Sequence, residues 1–543
     1  MIATNIERNI LEIARRLRQE EKLLEEGSII SDYAIKLPTL NGAEDKKTHL
    51  AHKLARFLFP TEDKDRVHSY IAYGKLLSKL RAAYKQQVQQ EAALEQIENA
   101  QQDRFREARK FGQRKVFESL LNEPISEPIL NPVPMPVEVA PLDELTPFFT
   151  HLKQGDAAEK ECVEFVRGAY YNDGRIDMCK QVVGSDWIGE LVDSIKNNPN
   201  VKHFLLGNNI VGDRGAEKIA TLIQSKSSPK IETYYLAGNC FTAEGAAKLG
   251  NALKQNHTVK SLWLKRNPLK FEGVRQIAQM LEVNPGLQTL DLVNVGMLDE
   301  GVKILFESLK QNRSLRTLYL DANGITAEGA CYIADYFEYL KHTKQTGLTG
   351  LFMAINRLCD EGVKTIANAV ADYPHIKRLD FSSNRIQNGG LTVLLNRVNT
   401  LPQLIYLGIG LYKSTSDLRE LPNYFDGEGA DIIANFLQTN KTVQIMEIKD
   451  VNLRDGGLNA IAKALEQNTT LLDLSHAQSQ HSIPETVTTK ITYCLARNVK
   501  QQLGMEFAEF RGERSRQIKH TDGVRFIDSI YRNNDKICQL TRV

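Results

Sequence analysis

The sequence predicts an α/β solenoid. Each turn is one short strand followed by one helix, with parallel strands on a concave face and helices on a convex face. Three observations carry this. First, one pattern recurs nine times between Val201 and Gly457: apolar-x-x-apolar-x-apolar, usually an Asn, an apolar residue, then a Gly. The copies start at Val201, Ile231, Val259, Leu287, Leu315, Leu348, Ile376, Leu404 and Val443, and the commonest offset is 28 residues. A fixed period in the twenties is the signature of a stacked strand–helix unit. Second, the front half of each copy alternates. In "LRTLYLDANGITAEGACYIADYF", which begins at Leu315, Leu318 and Leu320 lie two apart on one face of a strand. Third, the rear half has helical spacing: Ala330, Ile333, Ala334 and Phe337 form an amphipathic stripe, with Thr326 as N-cap and Glu328 in the first turn.

The recurring polar and glycine positions follow from the same stacking. The Asn falls at Asn209, Asn239, Asn267, Asn323, Asn356 and Asn384. An amide carried inward must be hydrogen-bonded, because burial without a partner costs roughly 1–3 kcal/mol. A ladder bonding the backbones of neighbouring loops is the simplest arrangement. The Gly recurs at Gly215, Gly245, Gly273, Gly301, Gly329, Gly362, Gly390, Gly429 and Gly457. It is expected where strand gives way to helix, at a close approach between turns.

These motifs resemble the ribonuclease-inhibitor type of leucine-rich repeat, which also occurs in NOD-like receptors, in the GTPase-activating protein of Ran and in secreted bacterial effectors. The resemblance covers about residues 175–475. It implies a leucine-rich-repeat horseshoe and leaves function open, since one fold hosts many activities. Irregular repeat lengths and a helical flank resemble the bacterial effectors in style, which implies action on host proteins. The Ran regulator family carries an acidic tail, whereas this sequence ends in the basic "LTRV". A GTPase regulator is therefore an alternative only.

Four segments are expected. Residues 1–121 form a separate all-α unit: "IERNILEIARRLRQEEKLLEE" and the long Gln-rich stretch after Asp65 have helical spacing and almost no Gly or Pro. Residues 122–149 read as a Pro-rich acidic linker, with prolines at 124, 128, 132, 134, 136, 141 and 147 and no Lys or Arg. Residues 150–498 hold the solenoid, with a degenerate N-terminal cap around "GRIDMCKQVV" and a closing helix in "ETVTTKITYCLARNV". Residues 499–543 are a helical extension with the basic stretch "RGERSRQIKH" and an amphipathic "GVRFIDSIYRNN". Two repeats are stretched, near "LKHTKQTG" and by an insertion over 412–425, and insertions map to loops that are often functional.

Composition excludes some classes. The chain of 543 residues is 42% hydrophobic and 25% charged, as a globular core requires. A net charge of +2 gives no electrostatic reason to expect nucleic acid. No apolar run approaches the ~20 residues of a membrane span, and the N-terminus lacks the apolar region of a secretory signal peptide. Delivery into a host cell, if the effector resemblance holds, would use no classical signal. Seven scattered cysteines without CxxC spacing imply reduced thiols and a cytoplasmic setting. Sequons at Asn256, Asn312, Asn440 and Asn468 share one helix-to-strand loop, which reads as recurring turn chemistry rather than glycosylation.

The candidate site follows from strand geometry. Residues between the second and third apolar positions should face the concave side: Leu205, Tyr235, Trp263, Asp291, Tyr319, Phe352, Asp380, Gly408 and Glu447. Tyr235, Trp263, Tyr319 and Phe352 then form an exposed aromatic stripe with Asp291 between two pairs, and aromatic anchors dominate protein interfaces. The next position adds a mixed rim of Lys265, Val293, Asp321, Ala354, Ser382 and Lys449. The partner-binding residues are taken as Tyr235, Trp263, Asp291, Tyr319, Phe352, Asp380, Lys265 and Asp321. The partner is a protein on the concave face, or the N-terminal unit folded back onto it. No phosphate loop, HExxH, GxSxG or CxxC motif is present. His476, His481 and Cys494 make a weak constellation, and Asp291, Asp380 and Glu447 are too far apart for paired acid–base work. No cofactor or metal is expected. The reading is a non-enzymatic binding scaffold; the alternative is an adaptor, such as a ubiquitin-ligase substrate receptor, recruiting an enzyme through residues 1–121, where activity is left open.

Overall fold

The computed structural model describes residues 139–520 apart from 159, 226–228, 416–417, 419, 454, 479–482 and 512. The unit expected over 1–121, the Pro-rich stretch up to residue 138, His481 and "GVRFIDSIYRNN" lie outside the described residues.

Among the described residues, thirteen three-residue strands form one sheet in chain order. The first three, β1 (Cys162–Glu164), β2 (Ala169–Tyr171) and β3 (Arg175–Asp177), pair antiparallel. From β3 onward every pairing is parallel and in register: β4 (His203–Leu205), β5 (Thr233–Tyr235), β6 (Ser261–Trp263), β7 (Thr289–Asp291), β8 (Thr317–Tyr319), β9 (Gly350–Phe352), β10 (Arg378–Asp380), β11 (Tyr406–Gly408), β12 (Ile445–Glu447) and β13 (Asp473–Ser475). A helix follows each strand from β3 to β12. Middle strand residues such as Phe204, Leu262, Leu318 and Met446 are buried in a core that runs unbroken from Ala140 to Leu495. Because successive side chains alternate, the first and third residues of every strand fall on the other, concave side.

The Asn ladder is present. Asn323 is fully buried; its Oδ1 accepts from the backbone N–H groups of Val295 and Gly296, and its Nδ2 donates to the carbonyls of Leu292 and Leu320. Asn209, Asn239, Asn267, Asn356 and Asn384 link their neighbours in the same way. Asn423 continues the row from beyond the long insertion, with Nδ2 on the Phe381 and Ile409 carbonyls. A second row occupies the helix-to-strand turns. Asn312 donates to Leu281 O and accepts from Ser314 N and Leu315 N, and Asn468 repeats this against Leu437. Asn312, Asn440 and Asn468 are buried, so these sequon amides are turn-closing groups, as their shared loop position implies.

The recurring Gly sits inside the first helical turn, slightly later than the strand-to-helix change expected for it. A Cβ at Gly329 would lie 2.3 Å from Asp299 Oδ1. That carboxylate, from the first turn of the preceding helix, accepts from Thr326 N, Thr326 Oγ1 and Gly329 N. Thr326 in turn caps its own helix by accepting from Glu328 N. Asp213 ties the start of the helix at Ala243 to its predecessor in the same way, and at Gly245 as at Gly329 a Cβ would collide with the tying carboxylate.

The boundaries need three corrections. The linker expected over 122–149 ends earlier, because Leu142–Gln154 is a helix that buries Leu145, Phe148, Phe149 and Leu152 despite Pro147 within it. Burial of four large side chains outweighs one missing backbone donor. The closing helix, Glu485–Leu503, passes the expected limit at 498 and stops at Gly504, whose φ of 68° ends it in the left-handed region. The stretch near "LKHTKQTG" mainly lengthens a helix, Ala327–Thr343, instead of making a loop.

The insertion over 412–425 folds onto the strand ends. Glu420 is 4% exposed and bridges Arg357 at 2.6 Å and Arg385 at 2.7 Å. Tyr412 packs with Ala322, Ala354 and Ile355, and Thr415 meets Ser383 at 2.7 Å. Charge pairing and packing hold this insertion as part of the solenoid.

The concave face as candidate functional site

The register places Leu205, Tyr235, Trp263, Asp291, Tyr319, Phe352, Asp380, Gly408 and Glu447 in one column of third strand residues, as expected. Two features differ from expectation. The aromatic stripe is continuous: Trp263 reaches Tyr319 across Asp291, with ring centroids 5.4 Å apart, and Tyr319 stacks on Phe352 at 4.3 Å. Tyr235 lies 6.0 Å from Trp263 at one end. At the other, Tyr406 stacks on Phe352 at 5.9 Å.

The stripe is also covered. Tyr235, Tyr319 and Phe352 are buried, and Trp263 is partly so. Part of the cover is the C-terminal extension. After the closing helix the chain turns through Phe507–Phe510 into a helix, Glu513–His520, that lies against the sheet. Tyr319 Oη donates to the His520 carbonyl at 2.9 Å, and Arg378 Nε donates to the Ile518 carbonyl at 2.7 Å. Ile518 packs on the Tyr319–Phe352–Tyr406 cluster, and the His520 ring stacks on Phe352 at 5.8 Å. Lys519 Nζ binds Glu447 at 2.6 Å and stands 5.3 Å over the Tyr406 ring. Ser515 donates to Asp473 at 3.0 Å. An exposed stripe expected from alternation alone is thereby overturned: alternation gives a face, not what lies upon it. Intramolecular docking does occur, by the C-terminal segment; the N-terminal unit lies outside the described residues.

The acidic positions have local roles as well. Asp291 Oδ1 accepts from Val293 N, and Asp380 Oδ1 accepts from Ser382 N, each closing a turn two residues on. Asp380 Oδ2 accepts from Tyr406 Oη at 2.8 Å. Gly408 permits this, since a Cβ there would fall 2.5 Å from Asp380 Oδ1. Asp321 accepts from Ala354 N at 2.8 Å. Burial, then the nearby Asp380 carboxylate, pushes its carboxyl well above the ordinary range. Burial pulls Lys519 down, but Glu447 and Asp380 outweigh it and hold the ammonium charged. Lys265 stands half-buried beside the stripe. Cys494, in the closing helix, is buried and its thiol is raised by that burial.

The residues that sequence reasoning missed are Arg378, Tyr406 and the Ile518–Lys519–His520 triplet. The first two occupy the first strand position, which faces the concave side as surely as the third. The triplet lay within a basic stretch already noted, opposite a face holding Asp380, Glu447 and Asp473.

Docking is expected to weaken with acid. Burial, then Lys519, Arg378, Arg516 and Lys265, push the His520 imidazole down to about 3. A depressed histidine is neutral when docked and protonates more readily when released. The docked state is therefore fully favoured above the free value near 6.5 and loses ground as pH falls below it. Between pH 7.5 and 5.5 the loss reaches about 1.4 kcal/mol, roughly tenfold in the docking equilibrium. Asp321, shifted upward, responds in the opposite sense, so the comparison is with His520→Gln. The protection factors of the amides at residues 513–520, which divide out the intrinsic slowing of exchange in acid, should fall as pH drops in the parent and not in the variant; equal pH dependence in both would refute this origin.

The leucine-rich-repeat family, described as "Leucine Rich repeat", matches residues 311–334 and 374–395. No curated protein matches the chain. Among solved structures, "Leiomodin-1 Actin-Binding Site 2 (ABS2)" is similar at 13% identity, covering 51% of this chain and 97% of that one with a TM-score of 0.18. Among the described residues no helix is long and apolar enough to cross a membrane. The family match over these two stretches, the in-register parallel strands and the two Asn rows together fit a leucine-rich-repeat protein.

Proposed function

We propose that the chain is a non-enzymatic protein-binding scaffold whose concave face, centred on Trp263, Tyr319, Phe352 and Glu447, is the interaction surface. One observation carries this reading: that face already holds a polypeptide segment, by ring stacking, an ion pair and hydrogen bonds to backbone carbonyls. These are the contact types that dominate protein interfaces. Tyr235, Asp291, Asp380, Lys265 and Asp321 supply the flanks of the surface. A host-cell protein is the partner that the effector resemblance implies.

The test uses the full chain with a photo-crosslinking amino acid at residue 263, and in a second preparation at Tyr493. Tyr493 is 70% exposed on the closing helix, away from the sheet. Adducts with protein partners are expected from residue 263 and not from 493. Adducts from 493 alone would overturn the reading.

A further inference from the structure

We infer that the concave face recognises a basic helical segment, and that residues 511–520 are a resident, displaceable example of that ligand. The inference rests on the scaffold reading above and names the chemistry of its partner.

Three observations support it. The grip of the segment on the sheet is made by discrete anchors. Ile518 enters the aromatic cluster, Lys519 pairs with Glu447, and Arg511 and Ser515 meet Asp473, the arginine at 3.5 Å. The signs are complementary: basic side chains on the segment face carboxylates on β12 and β13. Finally, the fit is incomplete. A cleft of about 250 Å³ remains between segment and sheet, with Glu447, Asp473, Arg511 and Lys519 on its walls. Arg514 and Arg516 stay exposed. An obligate interface packs to the density of a protein interior, whereas this one leaves room, as a displaceable ligand would.

An external helix with an apolar–Lys pair at the same spacing would make the same contacts. It must first displace the tethered copy, which competes at a high effective concentration.

The test uses the full chain and a labelled synthetic peptide of residues 509–520, "EFRGERSRQIKH". The parent chain, with its face occupied, should bind the peptide weakly. The Lys519→Glu chain, released from Glu447, should bind it about tenfold more tightly. Ile518→Ser opens the face through a different contact and should do the same. Glu447→Lys should lose the peptide yet accept one carrying Lys519→Glu. The double variant Glu447→Lys/Lys519→Glu should exclude the parent peptide again, which also shows that the fold survives.

Equal binding to the parent and the two opened chains would overturn the resident-ligand assignment. Absence of binding to both opened chains, with melting unchanged, would overturn recognition of a basic helix. A dimer in the parent that dissociates on Lys519→Glu would place the segment on a second copy and overturn occupancy within one chain. The crosslink at residue 263, repeated in the Lys519→Glu chain, separates the two proposals. Adducts there without peptide binding refute only the basic-helix inference, and no adducts refute the scaffold reading as well.

Discussion

Glu420→Ala is expected to cost about 3–5 kcal/mol of unfolding free energy, the usual loss when one partner of a buried ion pair is removed. The carboxylate spans two guanidinium groups: Oε1 takes Arg357 Nε at 2.7 Å and Oε2 takes Arg385 Nη2 at 2.7 Å. The side chains of both arginines are under 10% exposed. Truncation strands two cations where water reaches poorly, and their desolvation is no longer offset. The effect is a stranded charge rather than a lost bond, so Arg357→Met/Glu420→Leu/Arg385→Met should cost far less than Glu420→Ala. Urea unfolding of the full chain, followed through Trp187 and Trp263, measures both. A loss under about 1 kcal/mol for Glu420→Ala would mean that the insertion opens and hydrates its charges.

Phe352→Ala is expected to cost about 3 kcal/mol or more and to release the C-terminal helix. The ring sits between Tyr319, Tyr406 and His520, and it is 2% exposed. Its removal leaves a void under Ile518 and takes away the surface on which His520 stacks. The contacts that remain are mostly polar, to Glu447, Asp473, Tyr319 and Arg378, and each contributes about 1 kcal/mol. Amide exchange at residues 513–520 should approach that of an unstructured peptide, while the helices of the solenoid keep their protection. If exchange at 513–520 stays slow while the solenoid destabilises, Phe352 serves the repeat stack and not the docked segment.

How much of this was legible can be judged residue by residue. The period set the repeat, and the position of Leu318 between Thr317 and Tyr319 settled which side chains face inward. The buried ladder through Asn323 followed from a polar residue recurring at an apolar depth. These are local statements, fixed by chain geometry within one or two turns. Helical spacing in Leu145, Phe148, Phe149 and Leu152 was also present, but a run of prolines masked it. Asn423 escaped because the insertion shifts it off the period; its place in the ladder depends on the carbonyls of Phe381 and Ile409.

The sequence by itself determined the solenoid, its inward and concave positions and the chemistry of the aromatic column. Only the tertiary structure decided that the column is continuous across Asp291 and that residues 515–520 lie upon it. The physical reason is range. Strand alternation and helical spacing act between near neighbours, where covalent geometry dictates the outcome. The meeting of Tyr319 with His520 joins residues 201 apart in sequence. Such a contact depends on the path of every intervening turn, and no short pattern encodes it.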